Sequence, residues 1–123
     1  MRDKPPLPSK PIVWIGAAYD ELMDLPIAVR RAVGYALHFA QAGGKHDKAK
    51  PLKGFRGAGV LEIVEDYDGD TYRAVYTGKL AEAVYVLHCF QKKSTKGIAT
   101  PKQTMELIRK RLQLATAIYQ AKE

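Results

Sequence analysis

The sequence contains one cysteine, no long hydrophobic run and no apolar segment at its beginning. Cys89 has no second thiol for an internal disulfide, and a zinc site built from several cysteines is excluded. No apolar run approaches the ~18 residues that a membrane span needs. The polar, Pro-rich segment 1–11 lacks the hydrophobic region of a secretory signal peptide. We therefore expect a protein of the reducing cytoplasm with no membrane anchor.

Acidic residues are also scarce relative to basic ones. The chain has 13 Asp and Glu against 20 Lys and Arg, a formal charge of +7. An excess of this kind favours a polyanionic partner, with nucleic acid ahead of a membrane surface. The length of 123 residues suits one domain with its own hydrophobic core. We expect a flexible Pro-rich arm over residues 1–11 and a single domain over residues 12–123.

The spacing of apolar residues predicts an order of strand, two helices, loop, three strands and helix. The predicted elements are a strand at 12–15, helices near 17–25 and 26–42, strands at 60–65, 71–77 and 83–90, and a helix ending near 118. Asp68-Gly69 between two strand-like runs indicates a hairpin, so the three strands form an antiparallel meander. Thr100 is expected as the N-cap of the last helix, with Pro101 at its first position.

Residues 45–59 are predicted to form an irregular basic loop. The segment is rich in lysine and contains Gly54, Gly57 and Gly59. These glycines do not match the dinucleotide-binding pattern, and no Lys-Ser/Thr pair of a P-loop follows them. A second basic loop is expected at 92–97, after the last strand.

Four stretches carry a resemblance to a known family. They are KPLKGF at 50–55, TYRAVY at 71–76, YVLHCFQKKS at 85–94 and IATP at 98–101. Together with the order of elements, they make the sequence similar to the RelE/ParE superfamily of bacterial toxins, in its phage-derived, HigB-like branch, over roughly residues 11–118. The resemblance implies a RelE-like α+β fold, in which an antiparallel sheet joins the N-terminal strand to the meander. We expect the helices on one face and an RNA-binding concavity on the other.

The resemblance also implies partners and an activity. Such toxins pair with an antitoxin, often a helix-turn-helix repressor, and the RelE and HigB types cut messenger RNA in the ribosomal A site without a metal or other cofactor. ParE-type toxins share the fold but act on DNA gyrase, so the fold does not settle the function. The first expectation is a ribosome-dependent mRNA endoribonuclease of a type II toxin–antitoxin pair. A gyrase-directed toxin and a degenerate nucleic-acid-binding protein without catalysis stay open.

Arg73 is the strongest single candidate for catalysis. RNA cleavage without a metal needs a base for the ribose 2′-OH, a cation for the charge that develops on phosphorus, and an acid for the leaving 5′-oxygen. An arginine fork suits the second role. Arg73 lies in the middle of a predicted strand and matches the family's strand arginine that contacts the scissile phosphate. The ordinary alternative is an arginine on the solvent face of the sheet.

Further catalytic candidates lie near the end of the last predicted strand. Lys92 and Lys93 are adjacent, so on a strand they point to opposite faces and one of them is expected to enter the site. A solvated lysine pair is the ordinary alternative. His88 is the one histidine on a predicted strand and suits acid or base chemistry near neutral pH, although histidines in strands are more often packing residues.

The basic loops supply candidates for binding rather than catalysis. Contacts from such side chains to flanking phosphates give affinity without sequence preference. The residues assigned to this role are Lys50, Lys53, Arg56 and Lys96. No metal-ligand set is expected among them.

No residue is assigned as the general base. RelE-type relatives use a tyrosine near the C-terminus, for which Tyr119 is the nearest counterpart. Tyr76 is expected to point away from Arg73 and into the core. Cys89 is likewise expected in the core, because its strand neighbour His88 points to the opposite face.

Overall fold

The computed structural model describes residues 10–55, 57–80, 82–92 and 101–122. Along the chain these form β1 (Ile12–Trp14), α1 (Ala18–Met23), α2 (Ile27–Gln41), β2 (Ala49–Pro51), β3 (Val60–Tyr67), β4 (Asp70–Thr77), β5 (Val84–Lys92) and α3 (Lys102–Ala121). The strands build one five-stranded sheet in the order β1-β5-β4-β3-β2. The α+β class, the two N-terminal helices, the meander and the C-terminal helix are confirmed.

Two details of the sheet differ from the prediction. β1 is parallel to β5, so the sheet is mixed. The second difference is β2, which pairs antiparallel with β3 inside the segment predicted as an irregular loop, so that Lys50 lies opposite Glu62. Such a short strand gives almost no periodic signal, and its Pro51 argues against a strand. Pro51 is tolerated because β2 lies at the edge of the sheet, where a proline need not donate to the ladder.

Helices cover both faces of the sheet, and the prediction that all pack on one face is wrong. Ala74 of β4 lies in a core cluster with Leu22 of α1 and Val33 of α2. The next residue, Val75, points to the opposite face and lies in a second cluster with Ile108 of α3. The central strands carry apolar side chains on both faces, and each face therefore needs a cover. We call the two sides the α1/α2 face and the α3 face.

Backbone geometry explains where two of the elements end. Asp68 (φ 53°) and Gly69 (φ 84°) both have positive φ, which is the signature of the two-residue turn predicted between β3 and β4. Gly43 (φ 89°) ends α2, and the N–H of Gly44 donates to the carbonyl of Phe39 at 2.9 Å. These are the turn and the stop that the sequence predicts.

The beginning of α3 lies one residue later than predicted. Pro101 is the N-cap, with φ −56° and ψ 148°, and the helix starts at Lys102. The predicted cap, Thr100, lies outside the described residues. No helix in the described ranges is both long and apolar enough to cross a membrane.

The described end of the predicted N-terminal arm is joined to the domain. The N–H of Lys10 donates to the carbonyl of Gln41 at 3.2 Å, and the Gln41 side chain donates back to the Lys10 carbonyl at 2.9 Å. The carbonyl of Pro11 accepts from the N–H of Val84 at 2.9 Å. Residues 1–9 lie outside the described part of the chain.

Candidate active site

Strand register places three of the predicted cations on the α3 face. Lys50 lies opposite Glu62 on β3, Arg73 lies opposite Phe90 on β5, and Lys92 lies opposite Thr71 on β4. Residues that oppose each other across a sheet share a face, as do residues two apart on one strand. Lys50, Arg73 and Lys92 therefore point to the same side, which is the side of Val75 and α3. Arg73 has a cation on either side of it.

Arg73 does not stand alone in solvent. Its Nη1 donates to Oε1 of Glu62, and the two side chains keep only 14% and 7% of their surface exposed. The Nε of Arg73 is buried with no hydrogen-bond partner, whereas Nη2 is not one of the buried, unpartnered polar atoms. The guanidinium is thus held by a carboxylate on the neighbouring strand, through Nη1.

His88 lies in a cluster that joins three elements. A single oxygen, Oε1 of Glu21 on α1, contacts Nδ1 of His88 at 2.8 Å, Nη1 of Arg111 on α3 at 2.8 Å and the backbone N of Cys89 at 3.2 Å. Arg111 Nη1 also donates to the carbonyl of Leu87 at 2.9 Å. The ring of His88 stacks on Phe90, with centroids 4.7 Å apart and planes at 19°.

This cluster forms because β1 is shorter than β5. The last hydrogen bond on this edge is the N–H of Ile15 donating to the carbonyl of Val86 at 3.0 Å, and beyond Val86 none of the described strands lies beside β5 on that edge. Glu21 and Arg111 supply the missing partners for backbone groups that would otherwise be buried and unpaired. Gly16 (φ 56°) leaves room for Arg111, whose Nε would lie 3.1 Å from a Cβ at that position.

The same contacts control ionisation. Burial raises the pKa of Glu21, but the hydrogen bonds from His88 and Arg111 and the Cys89 N–H outweigh it and lower the pKa to about 2. Burial raises the pKa of Cys89 to about 12, with the Glu21 charge adding to the effect. Burial also raises the pKa of Tyr76 to about 12. Glu21 is therefore ionised at neutral pH, while the Cys89 thiol and the Tyr76 phenol are neutral core groups, as predicted for both.

The remaining predicted site residues fall into two groups. Lys53 is exposed and lines an open pocket of about 640 Å³ beside β2 and β3, together with Phe55 and Lys79. Lys79, which the sequence did not single out, donates through Nζ to the carbonyl of Gly57. The other group lies outside the described residues and consists of Arg56, Lys93 and Lys96. Tyr119 is partly buried against the core on the α3 face.

Glu21, Glu62 and Arg111 contact the predicted candidates Arg73 and His88, and sequence reasoning missed all three. Glu62 had a signal: the Asp68-Gly69 turn sets the register, which puts this carboxylate on the same face as Arg73. Glu21 and Arg111 had none, because they are 90 positions apart and meet only through the fold. In the described ranges, no three His, Cys, Asp or Glu side chains come together as a possible metal site.

A comparison with protein families gives a match. The model of the phage-derived Gp49-like proteins matches residues 20–113, from α1 into α3. The chain belongs to this family. Gp49-like proteins are related to the toxins of toxin–antitoxin systems. The matched region contains Glu21, Arg73, His88 and Arg111. No curated protein matches the chain.

Proposed function

We propose that this Gp49-like protein is the toxin of a type II toxin–antitoxin pair, of the HigB-like branch of the RelE/ParE superfamily. In this proposal it is a cytoplasmic, ribosome-dependent endoribonuclease that cuts messenger RNA and is neutralised by a helix-turn-helix antitoxin. The family's relation to toxins and the net charge of +7 support it. The observation that carries it is the row of Lys50, Arg73 and Lys92 on one face of the sheet.

The row formed by Lys50, Arg73 and Lys92 is suited to bind an RNA phosphodiester while it is cleaved. Glu62 holds one end of the Arg73 guanidinium, which leaves Nη2 to meet a phosphate oxygen and to stabilise the charge that develops on phosphorus. A side chain fixed in this way loses little conformational freedom when it binds. Lys92, one strand away, adds a second positive charge at the same phosphate. Of the adjacent pair Lys92 and Lys93, Lys92 takes this role in the proposal, and Lys93, which lies outside the described residues, stays a predicted candidate.

Flanking phosphates are bound further out in this proposal. Lys50 and Lys53 are exposed at the edge strand and the loop that follows it. Arg56 and Lys96 belong to the same two basic loops and are assigned the same role. Contacts of this kind fix the RNA backbone in place without selecting a sequence.

The test is expression of the chain in a bacterium, with mapping of message 5′ ends on ribosomes. Arg73→Lys keeps the charge beside Glu62 but loses the planar fork, so we expect A-site cuts and growth arrest to be lost while the protein stays folded. Arg31→Lys is the matched control, since Arg31 is exposed on α2, which packs on the other face. We expect this variant to cut as the wild type does.

Three results would overturn the assignment. If Arg73→Lys cuts as well as Arg31→Lys, the site is elsewhere. If messages stay intact while the DNA-damage response is induced, the toxin acts on gyrase. If neither growth nor messages change on expression of the wild type, the chain is a nucleic-acid-binding relative without catalysis.

A further inference from the structure

We propose that His88 is the general base of the cleavage step and that Glu21 is its positioning residue. The proposal rests on the proposed RNA cleavage, for which the sequence assigned no base. It is carried by the geometry of the cluster, in which Glu21, Arg111 and the Cys89 N–H meet beside one nitrogen of the His88 ring.

The contacts define which ring nitrogen carries the proton. Arg111 Nη1 has two hydrogens, which point to Glu21 Oε1 at 2.8 Å and to the Leu87 carbonyl at 2.9 Å. The approach of 3.4 Å between Arg111 Nη1 and His88 Nδ1 is longer than either of these contacts and longer than the 2.8 Å contact between Nδ1 and Glu21. An ionised Glu21 only accepts, so Nδ1 of His88 must donate to it. Nε2 of the neutral ring then has a free lone pair.

The carboxylate that orients His88 is itself fixed. Its Oε1 accepts from the Cys89 backbone, which belongs to the sheet, and from Arg111, which belongs to α3. Glu21 cannot rotate away without leaving a buried backbone N–H and a guanidinium with fewer partners, which is costly. A base held by a fixed carboxylate keeps one orientation and one tautomer, as catalysis by histidine requires.

His88 lies on the same face of the sheet as Arg73 and Lys92, because it is two residues from Phe90 on β5. It stacks on Phe90, and Phe90 lies directly opposite Arg73, where Cβ atoms in an antiparallel pair are about 4.5–5.5 Å apart. The side chain of His88 keeps 12% of its surface exposed. In this proposal the ribose next to a phosphate on Arg73 lies on the β5 side of the arginine, where His88 is.

The chemical step balances with these groups. His88 Nε2 takes the proton of the ribose 2′-OH, and the 2′-oxygen forms a bond to the adjacent phosphorus. The bond from phosphorus to the 5′-oxygen breaks, and that oxygen takes a proton from water. The products are a 2′,3′-cyclic phosphate and a 5′-hydroxyl, and His88 returns its proton to solvent. Glu21 stays ionised and stabilises the imidazolium while it exists.

Nitrogen-15 NMR of the imidazole rings tests the positioning directly. In the free protein at a pH where His88 is neutral, we expect Nδ1 protonated and Nε2 unprotonated, with the signal assigned by its absence in His88→Gln. In Glu21→Leu, which has no acceptor, we expect the Nε2–H form. The matched control is Glu65→Gln, which removes a carboxylate on β3 that pairs with Lys48. This variant should leave the tautomer unchanged. A wild-type ring with Nε2–H overturns the proposal.

Single-turnover cleavage on programmed ribosomes tests the chemical role. Glu21→Gln keeps the acceptor and the shape but loses the charge, so it is the variant expected to fold. We expect its maximal rate to fall at least about tenfold, with the half-saturating concentration unchanged within about twofold. The Glu65→Gln protein should keep the wild-type rate. Equal rates for the two variants would contradict the role of Glu21.

The two proposals fail separately. If the wild type cuts no RNA but the His88 ring carries Nδ1–H, the proposed cleavage fails and the positioning geometry stands, so Glu21 is then no part of a nuclease. If the wild type cuts and Arg73→Lys does not, while Glu21→Gln and His88→Gln cut normally, the nuclease stands and His88 is not its base.

Discussion

Arg73 and Glu62 form an ion pair that runs diagonally between β4 and β3 on the α3 face. Arg73 lies opposite Val64 and Glu62 lies opposite Val75, so each side chain reaches across to the neighbouring register position. Both are largely buried, with 14% and 7% of their surfaces exposed. The candidate catalytic arginine is therefore also a structural partner, and its removal has two consequences that must be measured apart.

The first prediction separates those consequences by a double-mutant cycle. Arg73→Met leaves Glu62 buried and unpaired, so we expect a loss of about 3–5 kcal/mol in the free energy of unfolding. The double variant Arg73→Met/Glu62→Leu replaces the pair by apolar groups of similar size and should recover most of that loss. Urea denaturation of the wild type, of the single variants Arg73→Met and Glu62→Leu and of the double variant measures the coupling energy between the two side chains.

An exposed ion pair provides the control for that cycle. Lys48 and Glu65 contact each other at the surface, where the lysine side chain keeps 50% of its surface exposed. The same cycle on this pair should give a coupling of at most about 1 kcal/mol. Similar couplings for the two pairs would show that burial does not strengthen the contact between Arg73 and Glu62.

The strands and turns of the fold were predictable because they depend on neighbours in the sequence. The Asp68-Gly69 turn has the positive φ values that hairpin residues of this kind adopt. It fixes the register of β3 and β4, and therefore the face of Arg73. The family resemblance added the proposed role of Arg73 at a scissile phosphate, which no local pattern contains.

Features that depend on where elements end in space were not predictable. β2 is three residues long and includes Pro51, so its sequence looks like a loop. The cluster at His88 exists because β1 stops beside Val86 and leaves backbone groups of β5 to be satisfied by Glu21 and Arg111. A length difference between two strands leaves no trace in the spacing of residues.

The second prediction concerns stability in acid. The pKa of Glu21 is about 2 in the folded protein, below its ordinary value of 4.5, which we take for the unfolded chain. A lowered pKa means that the ionised group stabilises the fold above about pH 4.5 and that this contribution is lost as the pH falls towards 2. The separation of the two pKa values corresponds to at most about 3 kcal/mol.

Urea unfolding of wild type and Glu21→Gln from about pH 6 to about pH 2 checks this. The difference in unfolding free energy should be largest near pH 6 and shrink below about pH 4.5, because the glutamine does not titrate. The variant Glu65→Gln accounts for the general effect of removing one carboxylate. A difference that stays constant over the whole range would mean that Glu21 has an ordinary pKa in the folded protein.

The third prediction concerns the salt dependence of RNA binding. Lys50 is exposed on the edge strand, on the same face as Arg73. If it contacts a phosphate of single-stranded RNA, Lys50→Ala should weaken binding equally for different sequences and reduce the slope of log affinity against log salt concentration by about 0.7. Fluorescence anisotropy with two short RNAs of unrelated sequence measures both effects.

The control is Arg31→Ala, which removes a cation from α2 on the other face of the sheet and should leave the slope unchanged. Equal slopes for Lys50→Ala and wild type would place the RNA backbone away from β2.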